Sequence, residues 1–402
     1  DEIPLRSPDV VMKLDRLGSL FPNRLSFARS LVRRMANENW SITKEKFDLD
    51  IKGVGTAIYK INTPVIPVWF VVFADDLEAS ERTDRVIAEK WDATFALTTK
   101  EPDEEKLRYL KENIPLQEAG RCTSNELILS RANKSVRLFD YVVDKLALGQ
   151  QPNKAKLIEV GYLMRTTAVY GNGKFGLADF EYMRGQGLFT LPFQAEMLCV
   201  YLARTFSFDW VEHIASKINP NSCCRLDDNL KRGLGVGNAT GLGMAPFLVK
   251  HPKLISNWVL TRERALQRVK RIEKISDETK VQFINHLANA RMHLEEWSTT
   301  DRRQADSLRL IKQEIEDPYL FYGFLMKQNG WRHLSEWSKE NLGFETQELI
   351  NSILIELYPE LVDNLELETG ADENMPLVPS MDLNELEDII DSKYDWALAF
   401  DN

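Results

Sequence analysis

Two stretches concentrate residues able to hold an anion. The first reads Arg165-Thr-Thr-Ala-Val-Tyr-Gly-Asn-Gly-Lys-Phe-Gly176, and the second Arg232-Gly-Leu-Gly-Val-Gly-Asn-Ala-Thr-Gly-Leu-Gly243. Glycines let successive backbone N–H groups converge on an oxygen because no Cβ obstructs the approach, and such loops bind phosphate or carboxylate. The candidate binding residues are therefore Arg165, Gly171, Asn172 and Gly173 in the first stretch, and Arg232, Gly235, Gly237, Asn238, Thr240 and Gly241 in the second. Lys174 and Arg165 would neutralise charge, and the Asn and Thr side chains would orient the ligand. Tyr170 and His251 are the candidates to move a proton, which with Lys174 completes the catalytic set. The competing reading is that these glycines make tight turns and close packing contacts.

Several named chemistries fail on the same residues. A P-loop needs G-x-x-x-x-G-K-[ST], which neither stretch supplies. The dinucleotide fingerprint misses as well, since Gly241 falls one place late after Gly235-x-Gly237 and charged residues precede it. His286 and His293 are two helical turns apart, about 10 Å, too far to share one metal, and no CxxC pair occurs, so no metal site is expected. Cys223 and Cys224, flanked by Arg225, could make a nucleophilic thiolate, but inert cysteine is the better reading. Asp227 and Asp228 read as a turn cap rather than a magnesium site. The sequence specifies no cofactor.

The elements that must position these residues read as α+β: a predominantly α-helical body, a small antiparallel β-sheet near the N-terminus and an acidic C-terminal tail. Runs rich in β-formers, Thr56 to Ile61, Val68 to Phe73 and Thr94 to Thr98, are separated by Gly53, Gly55, Pro64 and Pro67, with a hairpin turn near 62–67. From residue 102 onward the pattern reads as helical. Thr123 and Glu126 form a T-x-x-E capping box that predicts a helix closed by Gly149, and Asp209 with Glu212 repeats the device. On the first of these helices Ser130, Asn133, Lys134 and Arg137 form a polar stripe with Arg131 close by, read as a solvated face, with an anion-contacting face as the alternative. Further helices are expected near 263–274, 277–297, 304–315 and 346–357. The expected division is 1–101 for N-terminal helices and sheet, 102–358 for a helical domain with both Gly-rich stretches, and 359–402 for an acidic linker and short docking helix.

Composition bounds the rest. The chain has 402 residues, 44% hydrophobic and 28% charged, as ordinary globular proteins do, and no apolar run exceeds the length of Val68 to Ala74, which is too short to span a bilayer. No secretory signal is legible, and the cytoplasm is the default compartment. The tail from Pro359 carries 13 acidic residues and one lysine, a net of −12, which leaves the first 358 residues at +2. That near-neutral body weakens nucleic acid as a partner, because such binding needs a net cationic face. Homo-oligomerisation is a base-rate expectation. Together these features favour an enzyme that binds a small anionic substrate or a nucleotide-like cofactor. The alternative is a non-catalytic binding or assembly protein whose acidic tail engages a partner or its own basic surface.

Overall fold

The computed structural model describes residues 5–6, 8–11, 31–32, 34–82, 89–115, 123–166, 187–189, 192–238, 262–296, 302–327, 330–358 and 361. These fall in two compact units, one between Met35 and Pro252, the other drawn from Asp1–Arg34 and Lys253–Pro379.

The first unit is built on a seven-stranded sheet in sequential order, and this overturns the expectation of a small antiparallel sheet near the N-terminus. The strands are β1 (Ser41–Leu49), β2 (Gly55–Asn62), β3 (Val68–Ala74), β4 (Ala93–Thr98), β5 (Glu126–Lys134), β6 (Tyr162–Thr166) and β7 (Gly235–Asn238). Neighbours from β1 to β6 are antiparallel and the last pair is parallel, so the sheet is mixed, and it curls into a half-barrel. The hairpin between β2 and β3 lies where the prolines and Thr63 predict it. There the Thr63 hydroxyl donates to the Ile66 carbonyl and accepts the Ile66 N–H, which closes the turn.

The central strands are buried on both faces because both are covered. All seven residues of β3 and all nine of β5 are buried. On one face α1 (Glu104–Asn113) packs Leu110, followed by Ile114, against Val71, Phe73, Ala96 and Leu129. On the other lie α2 (Phe139–Ala147) and the long α4 (Pro192–Ile218), with α3 (Lys154–Val160) leading into β6. Phe206 and Trp210 of α4 meet Phe95 and Phe139 edge to face, at ring-centroid distances of 6.1 and 4.9 Å. Such pairs add to the burial of their area. Trp210 Nε1 also donates to the Gly53 carbonyl at 2.8 Å, and Tyr59 donates to Asp209 at 2.8 Å, which pins the β1–β2 hairpin to the helix. Burial and the Asp209 charge push the Tyr59 phenol far above its ordinary range. The exposed strand β1 carries Lys44 and Lys46 beside a register irregularity, devices that blunt an open sheet edge.

Two further helical expectations fail here. Residues 126–134 form the buried strand β5, not an amphipathic helix, so Ser130, Asn133 and Lys134 are interior polar residues. The carboxylate of Glu126 does accept the Thr123 N–H as a capping box would, but the chain leaves the turn extended, and buried Glu126 is neutralised by Lys106. Asp209 and Glu212 sit inside α4 rather than opening it.

The second unit is helical among the described residues: a segment over 262–270, then α5 (Asp277–Glu296), α6 (Arg302–Glu314), α7 (Pro318–Lys327), α8 (Trp331–Asn341) and α9 (Phe344–Glu356). Phe283, Trp331, Leu334, Ile350 and Leu354 form part of its core. Among the described residues no helix is long and apolar enough to cross a membrane.

Candidate functional site

The two Gly-rich stretches begin on neighbouring strands. Arg165 and Thr166 end β6, Gly235 to Asn238 make up β7, and the pair is parallel with Arg165 opposite Gly237 and Thr166 opposite Asn238. Parallel strands end at the same side of a sheet, about 4.8 Å apart, so Thr166 and Asn238, where the described parts of the two stretches end, lie side by side. This arrangement depends on a crossover, since two parallel strands cannot be joined by a hairpin, and α4 lies within the connection. Arg204 of α4 fixes the arrival of β7 by donating to the carbonyls of Leu234 and Lys231. Burial lowers the pKa of this guanidinium.

Entry into β6 is set by glycine. Gly161 ends α3 in the left-handed region at φ 77°, where its N–H bonds Leu157 O at 2.7 Å, and its own carbonyl accepts the Gly235 N–H at 2.8 Å. A side chain at φ near +77° would be strained, so glycine is required there by the turn.

The register between β6 and β7 slips between Tyr162 and Arg165: three steps on β6 span two on β7. Leu163 and Met164 are both buried, while Tyr162 and Arg165 are both half-buried. The irregularity thus behaves as a β-bulge, in which two successive residues oppose one, and it aims Tyr162 and Arg165 to the same face as Gly235 and Gly237. Asn133 of β5 pairs with Arg165 and shares that face, and Arg131 lies two residues before it. Asn133 Oδ1 accepts the Asp92 N–H at 3.4 Å, and the buried Asp92 carboxylate accepts from Lys134 N at 2.9 Å, Leu77 N at 3.2 Å and Arg82 Nε at 2.7 Å. Arg131 lies 4.5 Å from the Trp91 ring centre and donates to Pro115 O, and burial lowers its pKa to about 10. Burial pushes the Tyr162 phenol up, with the Arg137 guanidinium opposing that shift. One face of the β6–β7 edge therefore offers a tyrosine, an arginine and a strip without side chains.

The competing packing explanation of the glycines can be judged residue by residue. At Gly53 and Gly149 an added Cβ would lie 2.4 Å from Trp210 and 2.5 Å from the Ser222 carbonyl, so packing accounts for them. At Gly235 φ is unremarkable and the nearest atom to an added Cβ is 3.9 Å away, the carbonyl of Gly161. Among the described residues, neither packing nor backbone strain explains glycine at 235.

Of the sequence-predicted residues, the structure brings Arg165, Gly235, Gly237 and Asn238 together. Arg232 stands apart, exposed in the turn before the opposite end of β7. Tyr170, Gly171, Asn172, Gly173, Lys174, Thr240, Gly241 and His251 lie outside the described residues. Asp227 caps the turn Asp228–Lys231 by accepting the Asn229 N–H, as the capping reading expects. Burial raises the Cys224 thiol, whose sulfur accepts from Gln151 Nε2 at 3.4 Å, which disfavours a thiolate nucleophile there. Among the described residues no cluster of three His, Cys, Asp or Glu could hold a metal ion. Sequence reasoning missed Tyr162 and took Asn133 for a solvated helix residue. The available signal was a polar residue interrupting an otherwise apolar run.

Comparisons of the chain with protein-family models, with curated proteins and with solved structures find no match.

Proposed function

We propose that this chain is an enzyme that binds a small anionic ligand, a phosphate- or carboxylate-bearing substrate or a nucleotide-like cofactor, where the two Gly-rich stretches leave β6 and β7. The observation that carries this reading is the parallel pairing of Arg165 with Gly237, which sets the described starts of the two stretches side by side with a half-buried arginine among them. Ligands of open sheets gather at the carboxyl ends of parallel strands, where backbone N–H groups are free to turn toward an anion. In this reading Arg165 and Lys174 neutralise the anion, Asn172, Asn238 and Thr240 orient it, and Tyr170 or His251 moves a proton.

Native mass spectrometry of the freshly purified full chain, set against its denatured mass, tests the proposal. A discrete excess is expected, and Arg165→Gln should lose it. Inorganic phosphate and adenosine monophosphate, titrated calorimetrically, serve as probes of a site emptied on purification. Gly235→Val is the informative variant, because among the described residues the nearest atom to a Cβ added at Gly235 lies at ordinary van der Waals distance. Folded Gly235→Val with unchanged binding, or no mass excess and no binding of either probe at millimolar concentration, would overturn the reading.

A further inference from the structure

The helix over 262–270 carries a row of cations on the side turned away from its core. Arg262, Ala265, Leu266 and Val269 are buried, and at about 100° per residue they share one side. Arg264, Arg268 and Arg271 follow one another at spacings of four and three, which places them together on the opposite side. Arg264 and Arg268 are half-buried and Arg271 is exposed. The Arg271 N–H on Arg268 O at 3.2 Å and the Ile272 N–H on Val269 O at 3.0 Å finish the last turn, and exposed Lys274 follows. Lys270 falls on a different side, that of Glu263, where burial and then the Arg6 charge lower its pKa to about 8.

This row is not balanced locally. Glu273 is the one carboxylate between residues 264 and 274. Among the described residues neither Arg271 nor Lys274 enters an ion pair. Cations in a last helical turn offset the helix dipole, but that effect fades within the turn and does not reach Lys274.

The chain after α9 sets out from beside the basic end of the same helix. Arg262 pairs with Glu348 at 2.9 Å and donates to Ser352 Oγ at 3.3 Å, so the middle of α9 lies against the start of the helix. At the other end, a Cβ added at Gly330 would lie 3.8 Å from Glu273 O, and the adjoining Trp331 donates from Nε1 to the Tyr358 hydroxyl at 2.7 Å. From Ser352 to Tyr358 the chain thus advances from Arg262 toward residues 271–274. Residues 360–373 come next, with the carboxylates of Glu360, Asp363, Glu366, Glu368, Asp372 and Glu373 and no cation. The dozen residues from Leu361 to Glu373 can span about 40 Å, ample to turn back to Arg271 and Lys274.

We propose that the acidic stretch 360–373 docks on the basic face of this helix, with Arg268, Arg271 and Lys274 as its contacts, and neutralises that face. The stretch is tethered next to its site, so contacts too weak to hold a free peptide suffice. The pairs are exposed to solvent, and salt screens them.

The test couples amines to carboxylates with a water-soluble carbodiimide in the full chain at low protein concentration, and peptide mass spectrometry locates the new amides. Lys274 is expected to couple to Glu366, Glu368, Asp372 or Glu373 severalfold more than Lys52 or Lys90 does, whose side chains are 72% and 68% exposed. Raising the salt from about 20 to about 500 mM should lower that yield severalfold. Arg271→Glu should lower it likewise at low salt, with an unchanged circular dichroism spectrum. Coupling of Lys274 to these carboxylates no greater than that of Lys52 would overturn the proposal. So would a yield indifferent to salt and to Arg271→Glu, since tethering alone would then account for it. A yield that rises with protein concentration would overturn it as well, because the acidic stretch would then come from a second copy of the chain.

Discussion

Replacing Lys270 by methionine keeps an unbranched chain only one heavy atom shorter and removes the charge, so it reads chiefly what that charge costs the fold. The pKa falls from 10.5 to about 8 on folding. Each pKa unit corresponds to about 1.4 kcal/mol, so the shift amounts to about 3 kcal/mol against the folded state when the amine is protonated in both states. Below pH 8 folded and unfolded chains both hold the proton and the full penalty applies. Between about pH 8 and 10.5 unfolding takes up a proton that the folded chain lacks, so stability rises with pH, and beyond that window the penalty is gone. Lys270→Met should therefore be more stable than the parent by about 3 kcal/mol at pH 6.5, with the difference shrinking as pH rises past 8. Urea unfolding of both proteins at several pH values from 6.5 to 9.5 gives the difference directly, and other titrating groups cancel. A difference that stays flat across this range would refute the argument, since it would show an amine whose proton affinity does not change on folding. A less stable variant at pH 6.5 would refute it more strongly.

Asp92→Ala should lower stability by about 3–5 kcal/mol in thermal or urea unfolding, because it strands the Arg82 guanidinium and two backbone N–H groups that the carboxylate now accepts. Asp92→Asn, which keeps an acceptor oxygen, should recover part of that loss. Gly149→Ala is expected to cost about 1–3 kcal/mol by the same assays, since φ is 69° and the new Cβ would press on the Ser222 carbonyl. Trp210→Phe should cost about 1–2 kcal/mol from the lost bond to Gly53 O alone, and should quicken amide exchange in the β1–β2 turn.

The early strands were legible because their residues announce them. Tyr59, Ile61, Phe70 and Val71 are β-formers, and Thr63 with the two following prolines marks the hairpin. β5 was not legible, since a strand covered on both faces shows no alternation, and Ser130, Asn133 and Lys134 happen to recur at helical spacing. The D-x-x-E pattern at Asp209 misled for a different reason: an acidic pair three apart also suits a helix interior, and there Asp209 serves Tyr59 and Lys44 across the packing interface. β7 hid behind its own glycines, which weaken any strand signal. The Gly-rich stretches stood out from composition alone. Their common origin on a parallel pair did not, because the pairing joins Arg165 to Gly237 across an entire helix, and no local pattern encodes that register.

The parallel pairing of β6 with β7 also bears on the order in which the chain folds. Strands β1 to β3 zip through short connections, whereas β7 can join only after the whole chain between Thr166 and Gly235 has been folded back and α4 has docked. Ordering so long a connection must come before the contacts that reward it, which delays that pairing relative to local ones. With four residues, β7 is also the shortest of the described strands and the last in their order. The strand pairing on which the proposed ligand region depends is thus the most non-local in the described sheet, and its formation is expected late in folding.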